Sequence, residues 1–459
     1  MILMRKGWRS LLASLLAIVM FVGMTPAALA FCGFYVAQAD ADLFNQASQV
    51  IIARDGDRTV LTMANDYEGE LEDFALVVPV PVLLTEEQVH VGNPDILKRL
   101  DEFSAPRLVE YFDSNPCEPQ MLRMPSAVPA PAAVMEADRA APQSDAALGV
   151  TIEAEFSVGE YDILILSAKE SSGLETWLRQ NDYTLPTGAS EVLRPYIRQD
   201  FKFFVAKVNL EEVNADESQQ LRPLMMAYES PRFMLPIRLG MLNANGDQDL
   251  IVYILTPSGQ VEVTNYRTVK IPSNTDVPAF IEDEFGEFYQ AMFQTSYERA
   301  NKEVAFLEYA WDMSWCDPCA ANPLTPDELR EAGVFWLNGG RGDGQRIAPT
   351  PFPQPGAVNA YITRLHVRYS RDRFPEDLAF QNTGNTDNFQ GRYVIRHPYR
   401  GELSCSAADQ YRKAVRERQE QAGNTVAELT GWSKTEVYSK IDWLTERSPR
   451  RPWWRDLWN

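Results

Sequence analysis

Apolar residues recur along this chain in short runs separated by turn-forming residues, a pattern that favours strands over helices. Ser48 to Arg54 is one such run and Thr59 to Ala64 another, and Asp55-Gly56-Asp57 between them is a strong hairpin signal. A third run, Phe74 to Val80, carries Pro79 and meets Pro81. Proline has no amide to give a central strand, so this run is predicted at a sheet edge or a strand end. Asn93-Pro94 opens a short helix with Ile96, Leu97, Leu100 and Phe103 on one face, and Pro106 closes it. Thr151 to Phe156 and Tyr161 to Leu166 predict a second hairpin, Leu174, Trp177 and Leu178 mark a short helix, and Phe203 to Val208 returns to strand. Arg238 to Leu242, Leu250 to Thr256 and Val261 to Val269, spaced by Asn245-Gly246 and Pro257-Ser258-Gly259, predict a β-meander.

The longest helical periodicity runs from Pro278 to about Tyr309, with Phe280, Ile281, Phe285, Phe288, Met292 and Phe293 spaced for one buried face. Its last part, Val304 to Tyr309, also passes for a strand. Tyr361 to Tyr369 reads as a strand, and helices are expected between Ala407 and Arg447. Together these elements predict an α+β protein, with hairpins and a meander first, one long helix, and a helical C-terminal region. The expected divisions are a leader at 1–30, a first β-rich segment at 31–113, a loop at 114–149, the rest of the main domain at 150–312, and a cysteine-containing C-terminal region at 313–459. The loop is expected to be disordered because Pro116 to Pro142 holds six prolines and many alanines, too little apolar surface to offset the entropy of ordering.

The leader combines a basic start (Arg5, Lys6, Arg9), an uncharged apolar run from Leu11 to Met24, and Ala28-Leu29-Ala30, the plan of a cleavable secretory signal. Its apolar centre is shorter than the roughly 20 residues a membrane span needs, and Pro26 breaks it. Phe31 stands where lipid attachment at Cys32 would need a small residue. Export to the periplasm or medium is therefore expected. The chain carries 43 Lys and Arg against 64 Asp and Glu, a net charge of −21, which repels phosphate backbones and argues against nucleic-acid binding.

Outside the cytoplasm, Cys32, Cys117, Cys316, Cys319 and Cys405 should pair as disulfides, and an odd number leaves one thiol over. Connectivity cannot be read from spacing. Trp315-Cys316-Asp317-Pro318-Cys319 is the sharpest local motif, similar to the tryptophan-CxxC motif of thioredoxin-like redox proteins. Redox chemistry would need a helix beginning at Cys316, which Pro323 and Pro326 oppose. Thr325-Pro326-Asp327-Glu328 instead starts a new helix through a capping box, ended by Gly333. Structural bridging is the better reading.

The other candidates are weaker. Arg364, His366 and Arg368 alternate with apolar residues on one strand, placing three basic groups on one face as an anion-binding surface or a solvated flank. Asn243 to Asp249 and Asn382 to Asn388 have the composition of calcium loops without EF-hand spacing. Gly339-Gly340-Arg341-Gly342-Asp343-Gly344 lacks the flanking helix of a phosphate loop and reads as a turn. Trp453, Trp454 and Trp458 beside arginines suit a surface contact with a partner or packing onto the fold. His90, His366 and His397 are scattered singly, which predicts no histidine-rich metal site, and no motif implies a cofactor.

Four strings taken together resemble a bacterial secreted family catalogued as a domain of unknown function, number 2330 in its series. They are Phe31-Cys32-Gly33-Phe34-Tyr35-Val36, Phe74 to Pro81, Ser104 to Phe112, and Trp315 to Cys319. The similarity extends from Phe31 to the region of His397. It implies an envelope or secreted location and brings no reaction with it. The function expected from the residues is non-enzymatic binding or scaffolding with an unidentified envelope partner. The alternatives are a thiol-disulfide oxidoreductase using Cys316 and Cys319, and a hydrolase whose cue would be a pocket holding two perturbed carboxylates.

Overall fold

The computed structural model describes residues 34–37, 44–68, 74–117, 145–146, 150–181, 188–209, 221–242, 246–315, 322–338 and 358–444. The leader, Cys32, Cys316, Cys319, the Arg-Gly-Asp turn, most of the Pro/Ala-rich segment and Trp453, Trp454 and Trp458 lie outside these residues.

Several strands are apolar on both faces, and that sets the architecture. In Phe44–Asp55, Val50 and Ile52 enter one core while Ile51 and Ala53 enter another, and Gln248–Thr256 divides Val252 and Ile254 from Tyr253 and Leu255 in the same way. Such strands must be covered on both sides. They sit in the middle of a nine-stranded mixed sheet ordered Arg267–Lys270, Val304–Asp312, Tyr361–Tyr369, Gln248–Thr256, Phe44–Asp55, Arg58–Glu68, Leu224–Glu229 and Val89–Val91, with Phe389–Gln390 added beside Val304–Asp312. A six-stranded sheet, ordered Phe34–Ala37, Phe74–Val80, Lys202–Val208, Tyr161–Ala168, Val150–Val158 and Asp145–Ala146, packs against it. Leu76, Val78, Ile163, Ile165, Phe204 and Ala206 from this sheet join Val50, Ile52 and Val252 in the shared core. The outer face of the six-stranded sheet, with Val77, Phe203 and Val205, is closed by helices Ser171–Gln180 and Ala189–Arg198. The outer face of the nine-stranded sheet is covered by helices Asp95–Ser104 and Pro326–Glu331 at one end and by Phe285–Arg299 at the other.

This layered arrangement corrects the α+β expectation. The fold is mixed α/β, with parallel pairs interleaved among antiparallel ones, and strands continue to His397, so the C-terminal region is helical only in part. Its helices are Ala408–Thr430 and Lys434–Lys440. No meander forms. Arg238–Leu242 is a 3-10 turn, Gln248–Thr256 lies between Phe44–Asp55 and Tyr361–Tyr369, and Val261–Val263 pairs with Leu378–Asn382. A strand buried on both faces gains most at the centre of a sheet, where its partners come from distant sequence. The long helix from Pro278 is shorter than its periodicity suggested. Phe285–Arg299 ends at Ala300, Asn301 and Lys302 turn with φ near +60°, and the chain continues as the strand Val304–Asp312.

Local signals elsewhere coincide with the structure. Asp55-Gly56-Asp57 joins paired strands, with Gly56 at φ +57°, and Thr325 and Glu328 form the capping box of Pro326–Glu331. Phe74–Val80 has neighbours on both sides, but Phe34–Ala37 pairs only as far as Val77, leaving Pro79 beyond the outer strand's reach. No helix among the described residues is long and apolar enough to cross a membrane. Cys117 and Cys405 form a disulfide across 288 residues of sequence.

Candidate functional site

On the strand Tyr361–Tyr369, alternation sends Leu365 and Val367 into the inter-sheet core and Arg364, His366 and Arg368 to the opposite face. That face is not solvated. Helix Phe285–Arg299 covers it, Arg364 is 5% exposed, and each base meets an acid from a neighbouring element. Arg364 Nη1 donates to Asp101 of the helix Asp95–Ser104 at 2.7 Å, and Arg364 Nε donates to Glu308 at 2.7 Å. His366 Nδ1 lies 2.8 Å from Glu308 and Nε2 3.1 Å from Asp249. Arg368 closes a fork on Asp249 at 2.7 and 2.6 Å. The sequence of charges is acid, base, acid, base, acid, base, a neutral ladder laid across three strands and a helix.

Backbone irregularity places its central acid. The register between Val304–Asp312 and Tyr361–Tyr369 slips between Leu307 and Tyr309, so Glu308 is the extra residue of a β-bulge. A bulge re-aims side chains, and this one directs a carboxylate 1% exposed between Arg364 and His366. Gly391 donates its amide to the Glu308 carbonyl at 2.7 Å; a Cβ there would lie 3.1 Å from that oxygen. The Tyr289 hydroxyl donates to Glu308, and Phe293 stacks on the His366 ring at 3.9 Å.

The ladder fixes its own protonation. Burial works against charge on Glu308, but His366, Arg364 and the Tyr289 hydroxyl hold its pKa down at about 2. Asp249, also opposed by burial, is held at about 2 by His366 and Arg368. Burial likewise works against charge on His366, yet Glu308 and Asp249 raise its pKa to about 8. Both ring nitrogens face carboxylates that stay ionised, so both must be donors and the ring is an imidazolium at neutral pH.

One end of the ladder opens into a cleft of about 760 Å³ between the sheet, Phe285–Arg299 and the C-terminal helices. His366, Arg368 and Asp249 form its floor, Phe293 and Trp432 are among its aromatic walls, and Glu287, Glu436 and Lys440 line it further out. With His366 protonated, three acids and three bases cancel in this lining.

Of the sequence candidates, Arg364, His366 and Arg368 come together here, and Asp249 joins them from a strand rather than from a calcium loop. In Asn382 to Asn388, the Asn382 and Asn385 side-chain oxygens accept from the Gly384 and Asp387 amides, which makes this segment a set of turns. Among the cysteines, Cys117 and Cys405 pair with each other, whereas Cys32, Cys316 and Cys319 are not described. Asp101, Glu308, Tyr289 and the roof residue Phe293 were not picked out as site residues from the sequence. A single carboxylate inside the apolar run Val304 to Ala310 was the available signal, because a buried charge requires a partner. Among the described residues, one group suits a metal ion, formed by Glu110, Glu282 and His397.

Nothing among curated proteins or solved structures matches this chain. A family model matches residues 26–381, well over half of the sequence, and the chain belongs to that family, described as an uncharacterized protein conserved in bacteria (DUF2330).

Proposed function

We propose that this chain is an exported, non-catalytic binding protein whose cleft takes a small uncharged or zwitterionic organic ligand. The observation that carries the reading is the charge-neutral lining of the cleft, laid over a floor whose ionised groups His366, Arg368 and Asp249 are already committed to one another and to Glu308. A lining with no net charge gives little attraction to a simple ion, while the aromatic and apolar walls offer area to an organic group. Export rests on the leader pattern, and a disulfide between Cys117 and Cys405 is in keeping with an oxidising compartment.

The same ladder weighs against hydrolysis. Asp249 lines the cleft and Glu308 is buried behind His366, and both carboxylates are shifted downward, whereas a general acid at neutral pH needs an upward shift. His366 has no free lone pair to act as a base. Disulfide exchange through Cys316 and Cys319 rests on residues outside the described ones.

The test is a thermal-shift and native-mass screen of the purified chain against neutral and zwitterionic metabolites. A ligand that raises the melting temperature in the parent and fails to do so in Ile251→Trp, which places a larger side chain in the cleft lining, supports the reading. Saturable turnover of chromogenic esters or phosphoesters that His366→Asn abolishes would replace it with an enzyme.

A further inference from the structure

A second polar cluster shares no lining residue with the cleft. Strands Arg107–Phe112 and Arg392–His397 pair in parallel, with Glu110 opposite Ile395 and Phe112 opposite His397. Glu110, Ile395 and His397 therefore share a face. That face buries Tyr393 and Ile395 and then runs out to solvent, so its last polar residues stand at the rim of an apolar core. The 3-10 turn Ala279–Glu282, anchored by the fully buried Ile281, brings Glu282 to the same rim. One donor atom from each of Glu110, Glu282 and His397 lies within 4.8 Å of the others.

Two features separate this cluster from a chance gathering of acids. First, the imidazole is held in place. Phe112, itself 74% exposed, stacks on His397 at 4.4 Å and 12°, while Nε2 sits 2.6 Å from Glu110. The strand end is braced as well. The Asp113 amide donates to the His397 carbonyl, the Asp113 carboxylate accepts from Arg418 and Tyr411, and the Cys117–Cys405 bridge lies just beyond. Second, its charge is uncompensated. Among the described residues neither Glu110 nor Glu282 pairs with a lysine or arginine, although Arg396, Arg400 and Arg418 are close by in sequence or across the fold. Those arginines are committed to Asp276, Asp442 and Asp113.

We propose that Glu110, Glu282 and His397 bind one divalent transition-metal ion, with Zn2+ the ion this ligand set suits best. Calcium and magnesium take oxygen ligands, so an imidazole among three donors points to a softer ion. Three protein ligands on an exposed rim leave a fourth position for water. Zn–N and Zn–O bonds of about 2.0–2.2 Å put tetrahedral donors about 3.4 Å apart. Entry of the ion would replace the Glu110–His397 hydrogen bond and spread that pair by less than about 1 Å.

The test is calorimetric titration of the full, chelator-stripped chain with Zn2+, beside His397→Ala, Glu282→Gln and, as a control remote from the cluster, His90→Ala. The parent and the control should bind one ion. Losing hydrogen-bond support of a ligand costs about 10–100-fold in affinity, so losing a ligand in Glu282→Gln should cost at least that, with the melting temperature in chelator unchanged. His397→Ala should remove binding. Alkylating free cysteines should leave the affinity as it was. Absence of binding by the parent, binding that both variants retain, or binding that alkylation removes overturns the proposal. A missing ligand for the cleft would leave it untouched, because the two sites share no lining residue.

Discussion

The ladder under the cleft and the rim cluster use the same side-chain types to opposite ends. In the ladder, Asp101, Glu308 and Asp249 alternate with Arg364, His366 and Arg368, most of them are buried, and no charge is left over. At the rim, Glu110 and Glu282 face one imidazole in partial exposure. Burial accounts for the difference. An unpaired charge inside a protein costs several kcal/mol, so the interior tolerates only complete neutralisation. Solvent screens the rim, where surplus negative charge can persist and remain available to a cation. Neutral and buried therefore suits a cleft floor for an uncharged ligand, and negative and exposed suits the proposed cation.

Breaking the ladder at its centre should have the largest effect. Glu308→Ala leaves Arg364 and His366 without their shared acid, and a loss of about 3–5 kcal/mol in urea denaturation is expected. A loss below about 1 kcal/mol would show that the six groups do not depend on one another. Opening the Cys117–Cys405 bridge by Cys117→Ser comes next, at about 2–5 kcal/mol. Because the bridge braces the rim, Zn2+ affinity should fall in the same variant, which equilibrium dialysis would measure.

The pH dependence of stability sharpens the contrast further. His366 has a folded pKa of about 8 against an ordinary 6.5, so its contribution is complete below pH 6.5 and lost as pH rises through 8. The loss should be about 2 kcal/mol between pH 6 and 9 and should vanish in His366→Asn, read by denaturation at each pH. Glu308 and Asp249 act in the other direction. Held at about 2, below their ordinary 4.5 and 3.8, they contribute above those values and lose that contribution as pH falls toward 2. The smallest effect is expected from Arg396→Ala, which removes a half-exposed pair with Asp276 and should cost under about 1 kcal/mol.

Signals confined to a few neighbouring residues were legible in the sequence. Gly56 turning a hairpin, Thr325 and Glu328 capping a helix, and the stripe of Ile96, Leu97, Leu100 and Phe103 each depend on backbone geometry within one or two turns. The three bases of Tyr361–Tyr369 were legible as a shared face for the same reason. Their acids were not. Glu308 is 56 residues from Arg364, Asp249 is 117 from His366, and Asp101 is 263 from Arg364. The helix expected beyond Arg299 failed because the run Val304 to Ala310 is apolar at every position but one, and periodicity cannot separate a strand buried on both faces from a buried helix.

The sequence by itself determined family membership, carried by strings spread along the chain, and also the local elements and one basic strand face, because each of these depends on residues close together in the chain. Only the tertiary structure decided which acids meet those bases, where the bulge aims Glu308, and that Glu110, Glu282 and His397 converge at one rim. Those outcomes depend on which strands become neighbours. Burial of both faces of each central strand sets that order, and a one-dimensional pattern does not encode it.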